Sequence, residues 1–234
     1  MIVFNNTALE TVAPVKVQNI SVSPIQLSPT ARQRPIRFGA DFVRMGGGTR
    51  TVNITMALLT NDRAERQRQA REITRWARTQ EEGKLTLTGY DGMYLQCICT
   101  RLPEASFWEW WEKSLTLTFT CYDNPYWTDI EEKSAACGTA FAVLGDAQDG
   151  PLMQIRRTLS SAASNQSYGN GTETMTFSTI PAGNLVIDLN RQTAAVGSAS
   201  IMQYYTYDSD FLLPKNGAQT ITGTGTVYWR ERWE

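Results

Sequence analysis

Residues 115–121 carry the tightest constraint on the fold. Leu115, Leu117, Phe119 and Cys121 alternate with Thr116, Thr118 and Thr120. A period of two places every apolar side chain on one face of an extended strand and every threonine on the other. Such a strand has one face buried and the other open. The same alternation recurs in Val52, Ile54, Met56 and Leu58 against Thr51, Asn53, Thr55 and Ala57. It returns in Met93, Leu95, Cys97 and Cys99, and more briefly in Leu85 and Leu87, before the turn Tyr90-Asp91-Gly92. Cys97, Cys99 and Cys121 thereby fall on apolar faces and read as core.

Between these strands the period changes. Asn61 or Asp62 offers an N-cap, and residues 63–80 place Ala70, Ile73, Trp76 and Ala77 on one narrow helical stripe, with Gly83 as the stop. The first half thus reads as strands around one helix. After Asn124-Pro125 the composition shifts. Residues 128–150 form a connection holding one short strand at 140–144. Short strand candidates follow at 173–180, 185–189, 201–207, 220–222 and 226–233. They are separated by turns such as Pro181-Ala182-Gly183-Asn184 and Pro214-Lys215-Asn216-Gly217. That spacing predicts a β-sandwich with no helix. The whole chain is mainly β.

Composition restricts the chemistry. The 234 residues include no histidine, which removes Ser-His-Asp and Cys-His catalysis and the ordinary zinc enzyme sites. The four cysteines have no Cys-x-x-Cys spacing and read as reduced. No apolar run is long enough for a membrane helix, and residues 1–7 do not resemble a secretory leader, so neither a membrane anchor nor export by that route is expected. Net charge is −1, but residues 1–101 carry +6 and residues 102–234 carry −7. Opposite signs suit docking between unlike surfaces, or simply two different solvated surfaces.

Several segments are candidate sites. Arg63, Arg66, Arg68, Arg71, Arg75 and Arg78 crowd the helix, with Glu72 placed to pair with Arg68 and Arg75. The row reads as a solvated face, a protein-docking face with Arg66 and Arg71 as candidates, or a phosphate-binding row. Phe107-Trp108-Glu109-Trp110-Trp111 is apolar on both faces if extended, so Trp108, Trp110 and Trp111 belong to a core, a subunit interface or a sugar platform. Gly46-Gly47-Gly48 reads as a hairpin tip or loop, since no Gly-Lys-Ser/Thr ending follows. Glu173, Asp188, Asp208 and Asp210 match no calcium loop and read as surface carboxylates. Tyr204, Tyr205, Tyr207, Tyr228, Trp229 and Trp233 alternate along the last strands and read mostly as packing.

Taken in order, these segments resemble the distal tail proteins of long-tailed (siphovirus-type) bacteriophages and prophages. The resemblance runs through Ile2-Val3-Phe4-Asn5-Asn6, the Gly-rich segment, the strand to Leu59, Ile73-Thr74-Arg75-Trp76, and Phe119-Thr120-Cys121-Tyr122-Asp123-Asn124-Pro125-Tyr126. It continues through residues 183–188, Ser209-Asp210-Phe211, Leu213-Pro214, Asn216-Gly217 and Tyr228-Trp229-Arg230. It implies a tail-tube-like split β-barrel over residues 1–130, with one helix near 62–80, and a galectin-like β-sandwich over residues 131–234. It further implies a hexameric ring at the tail tip or baseplate, around the channel that phage DNA crosses without sequence-specific binding. The partners implied are other copies of the chain, the tail tube protein and the tail-associated hub or lysin protein, with receptor-binding proteins held by some relatives. The location implied is the virion, after assembly in the host cytoplasm, and neither cofactor nor catalytic residue is implied. The alternative expectation is a carbohydrate-binding protein that contacts host glycans through Tyr205 and Trp229. A third is an enzyme pairing Asp188 with Asp208 or Asp210.

Overall fold

A computed structural model describes residues 1–33, 40–102, 114–206 and 209–234. The chain divides into two units, Met1–Trp127 and Thr128–Glu234. In the first, the elements are β1 (Ile2–Phe4), β2 (Thr7–Ala8), α1 (Leu9–Val12), β3 (Val15–Val22), β4 (Gln26–Gln33), β5 (Ala40–Leu58), α2 (Arg63–Ala77), β6 (Gly83–Leu87), β7 (Met93–Arg101) and β8 (Ser114–Cys121). Strand order is β2-β1-β6-β7-β8-β5-β3, with β4 also on β5. Among the described residues this sheet does not close into a barrel.

The alternating stretch at 51–58 is the end of a much longer strand. Over Arg50–Ala57, β5 pairs with Cys121–Ser114 of β8. On its other edge, Leu58–Val52 pair with β3 and Thr49–Ala40 with β4. Ser23 bridges β3 and β4, its amide donating to the Thr51 carbonyl. β3, β4 and β5 are therefore one long hairpin, and β8 backs only its base.

The Gly-rich segment is not a hairpin tip. Gly46–Gly48 lie within β5, where the register slips between Gln26↔Thr49 and Ser28↔Gly46, so an extra residue is accommodated as a bulge. A Cβ on Gly48 would sit 2.2 Å from Ile25 Cγ2 and 3.0 Å from the Gln26 carbonyl oxygen. Glycine is required there because the opposing strand comes too close for any side chain.

The buried face carries Val52, Ile54, Met56, Leu115, Leu117, Phe119, Leu85, Leu95, Cys97 and Cys121. On the opposite face, Thr55 and Thr116 hydroxyls meet at 3.1 Å, Thr118 donates to Asn53 Oδ1 at 2.7 Å, and Thr100 meets Thr120 at 2.8 Å. The threonines thus bond across the strands as the alternation requires.

Helix α2 covers the apolar face. Asp62 is its N-cap, accepting from the Ala64 and Glu65 amides. Ile73 and Ala77 are buried, but Ala70 and Trp76 are only half-buried, and Arg66 and Gln69 complete the buried stripe. Trp76 nevertheless joins an edge-to-face cluster with Phe4 (5.8 Å) and Phe119 (6.3 Å), and its Nε1 donates to the Thr7 carbonyl at 3.0 Å. The helix ends at Ala77 rather than near 80, and Gly83 opens β6 instead of capping it. Acidic residues are unfavourable at a helix C-terminus, and Glu82 is engaged elsewhere, accepting from the Tyr122 amide. The short helix α1 is a second correction to the single helix expected.

The second unit begins within β9 (Trp127–Asp129). It continues with β10 (Lys133–Ala136), β11 (Ala140–Val143), β12 (Leu152–Leu159), β13 (Ala163–Gly169), β14 (Thr174–Ile180), β15 (Gly183–Asp188), β16 (Thr193–Val196), β17 (Ala199–Ser200), β18 (Gly217–Thr220), β19 (Thr226–Arg230) and β20 (Arg232–Trp233). A six-stranded sheet, β10-β19-β12-β15-β16-β17, accompanies the pairs β11–β18 and β13–β14. Ile155, Ile187, Val227, Tyr168, Phe177 and Met175 are among its buried core. β12, β13 and β16 had no strand expectation, and the described part of 201–207, residues 201–206, is not a strand: Met202–Tyr204 is a 3-10 turn, and residue 207 lies outside the described residues. Arg156 holds Glu132 through both terminal nitrogens at 2.8 Å and lies 4.4 Å over the Tyr228 ring. Glu231, almost fully buried, accepts from Lys133 Nζ at 2.7 Å.

Replacing Gly48 by Ala is expected to cost about 1–3 kcal/mol, the usual penalty for overpacking. The check is a denaturant titration, in which the midpoint falls while the slope stays unchanged.

Candidate assembly surface

The long hairpin is the most incomplete part of the described backbone. Past Arg50, β8 stops, and no described strand pairs with the second edge of β5 over residues 40–49. The outer edges of β3 and β4 are likewise open among the described strands. A two-stranded ribbon is marginal in water, and open edges are templates for further pairing.

The arginine-rich helix is less uniform than its sequence. Arg66 is 6 % exposed and belongs to the packed stripe of its own unit, which corrects its expected place on a docking face. Arg68 is committed to two carboxylates: Nε and Nη2 reach Glu65 at 2.9 and 2.6 Å, and Nη1 reaches Glu72 at 2.9 Å. The Arg68 hydrogen bonds, helped by one from Gln69, hold the Glu65 carboxyl down to about 2. Arg71, Arg75 and Arg78 remain exposed, at spacings that share one helical side, and Arg71 Nε donates to the Gln67 carbonyl at 3.2 Å. An even row of phosphate-binding cations is therefore absent from the described helix. Its C-terminal half thus presents a short basic face, while Arg63 is exposed in the first turn.

Trp108, Trp110 and Trp111 lie outside the described residues, as does Asp208. Cys97 and Cys121 are buried on adjacent strands, and contact between the two thiols together with burial pushes Cys97 well above the usual thiol range. Burial pushes Cys99 up to about 11. Cys97 and Cys99 are therefore protonated packing groups without nucleophilic character.

In the second unit, Trp229 is 6 % exposed and stacks on Phe141 at 4.5 Å, so it presents no open ring to a sugar. The expectation of a Tyr205–Trp229 platform is corrected on that ground. Tyr205 is half-buried, edge-on to Phe177 at 5.7 Å and tilted against Phe211 at 5.8 Å, and its hydroxyl donates to the Ser209 carbonyl. Asp188 accepts from Gln154 Nε2 and from the Arg191 amide, both local structural bonds. Asp210 lines a different place, a cleft it shares with Tyr205 and Glu173. Sequence reasoning left Gln192 out of any site, although it lines the same cleft with φ of +53°; no sequence pattern marks that conformation in a glutamine.

No family model matches the chain, and no curated protein matches its sequence. The crystal structure of the Dit protein of phage SPP1, described as a paradigm of the hub adsorption apparatus in phages infecting Gram-positive hosts, superposes with a TM-score of 0.72. The match covers 100% of this chain and 98% of that one at 13% identity, so the two share a fold along their whole length. Two structures of the phage P2 baseplate in its activated conformation, with Ca and with Sr, give TM-scores of 0.44 and 0.45. Their identities are 8% and 11%, over 96% and 95% of this chain and 92% and 91% of theirs, too distant to define a common fold.

Glu65 provides a direct check on the helix surface. Its depressed pKa means that its contribution to stability is present above about 4.5 and is lost as pH falls towards about 2. Carboxyl titration by NMR should give a midpoint at about 2 in the parent chain. In Arg68→Gln the midpoint should move back towards the ordinary glutamate value.

Proposed function

We propose that this chain is a structural component of a phage tail tip or baseplate, in which six copies close a ring joining the tail tube to the tail-associated hub protein around the DNA channel. The observation that carries this reading is the fold shared over the whole chain with the SPP1 Dit protein, itself described as part of a hub adsorption apparatus. Physical chemistry adds two supports. The hairpin arm leaves strand edges that a neighbouring copy can complete, and a head-to-tail contact of that kind closes into a ring when its rotation is a whole fraction of a turn. The basic side of α2, with Arg71 exposed, offers charge complementarity to a partner of opposite sign.

Trp108, Trp110 and Trp111 are assigned to the contact between copies because three tryptophans in four residues are typical of buried interface anchors. The role is scaffolding in the virion after assembly in the host cytoplasm, with DNA passing through and no reaction catalysed.

Light scattering on the purified chain across a concentration range tests the reading. A ring of six copies of 26.2 kDa would weigh about 157 kDa. A strict monomer, even when mixed with tail tube and hub proteins, would overturn it. Trp110→Ala or Trp111→Ala is expected to reduce the ring population while leaving the thermal midpoint of the monomer nearly unchanged. Unfolding of either variant would instead assign these residues to the core.

A further inference from the structure

Cys97 and Cys121 face each other across two strands of the first unit. The β7–β8 ladder sets Ile98 opposite Thr120 and Cys99 opposite Phe119. Continuing that register by one residue puts Cys97 directly opposite Cys121. Both side chains are fully buried, and the two thiols are in contact. Each is also held by a second ladder, Cys97 against Gly83 of β6 and Cys121 against Arg50 of β5. Neither sulfur can turn away unless a strand slips its register.

Opposed residues of an antiparallel pair lie about 4.5 or 5.5 Å apart at Cα, according to whether the pair is hydrogen-bonded. Either spacing falls within the range of about 4.4–6.8 Å that a disulfide spans. Cys99 is diagonal to Cys121, and diagonal neighbours are about 7–8 Å apart, beyond that range. Its thiol instead donates to the Arg101 carbonyl at 3.4 Å. Cys137 belongs to the second unit.

We propose that Cys97 and Cys121 are a latent disulfide, closed by a small peroxide once the protein leaves a reducing compartment. All four cysteines are free in the structure, as suits a reducing cytoplasm. Peroxide serves as the two-electron oxidant. One sulfur attacks the O–O bond and becomes a sulfenic acid, its proton leaving in water. The other sulfur then displaces that hydroxyl, and its own proton completes a second water. Two S–H bonds and the O–O bond break, while one S–S and two O–H bonds form. Burial keeps Cys97 protonated, so closure is slow at neutral pH and waits on local opening. Hydrogen peroxide is little larger than water and needs the least opening. The bond would tie together the two strands that flank residues 102–113, a stretch that includes Trp108, Trp110 and Trp111, and would restrict the unfolded chain. In a tail component released from the host cytoplasm, closure comes after assembly. That timing alone rests on the reading above, whereas the cross-link is a property of the single chain.

Exposure of the full chain to hydrogen peroxide under native conditions tests this. Remaining thiols are alkylated after denaturation, and peptides are mapped without reduction. The expected product has lost two hydrogens and links Cys97 to Cys121. Its thermal midpoint should rise by about 5–10 °C and fall back on reduction with dithiothreitol. Cys99→Ala should form the same link, and Cys121→Ala should show no rise with peroxide, whatever its own midpoint. A link formed by a chain that stays monomeric supports the staple and counts against the ring alone. Peroxide treatment that leaves both thiols open to alkylation, links Cys99 instead, stops at sulfinic acid or lowers the thermal midpoint would overturn the proposal.

Discussion

Backbone pairing along β5 is the interaction on which the first unit depends. One strand receives β8 on one edge and β3 followed by β4 on the other. Its amides and carbonyls therefore organise partners that come both from earlier and from later in the sequence. The alternation of Val52, Ile54, Met56 and Leu58 then fixes which face of the sheet is dry, because slipping by one residue would turn all four outward. The dry face recruits α2, and Trp76 between Phe4 and Phe119 anchors that helix to the sheet. The threonine face follows as the opposite side of the same pleat.

The arginines show how packing redistributes a property that looks uniform in sequence. Six guanidinium groups lie on or beside one helix, yet Arg66 is buried and Arg68 is held between Glu65 and Glu72. Arginine suits both tasks, having a long apolar stem and a planar fork of donors. Of the rest, Arg63 is exposed in the first turn, and Arg71, Arg75 and Arg78 are exposed on one side further along.

Much of the architecture was legible where burial has a period. The strands through 52–58, 85–87, 93–99 and 115–121 are present, as is the helix beginning at Arg63, because one buried face leaves a repeating pattern. What failed had no such imprint. β13 reads Ala-Ser-Asn-Gln-Ser-Tyr-Gly and is polar along most of its length, so its pairing with β14 comes from tertiary context. The glycines at 46–48 resembled a turn because glycine marks both turns and bulges, and only the proximity of Ile25 to Gly48 separates them. At the candidate sites, composition picked out Tyr205 and Trp229 as aromatic, but burial distinguishes them: Phe141 covers Trp229, whereas Tyr205 borders open space. Gln192 was invisible because its conformation is imposed by the turn between β15 and β16.

The length of β5 has a mechanical consequence. Nineteen residues in extended form span roughly 60 Å, and the same covalent chain runs from the end of the hairpin arm into the centre of the sheet. A pull on the arm along the strand axis would load the Arg50–Ala57 ladder with β8 and the Val52–Leu58 ladder with β3 in shear. Bonds arranged that way resist together instead of opening one after another, as they would if peeled. Force applied along the hairpin would thus reach the best-buried strands of the unit before any of them separates.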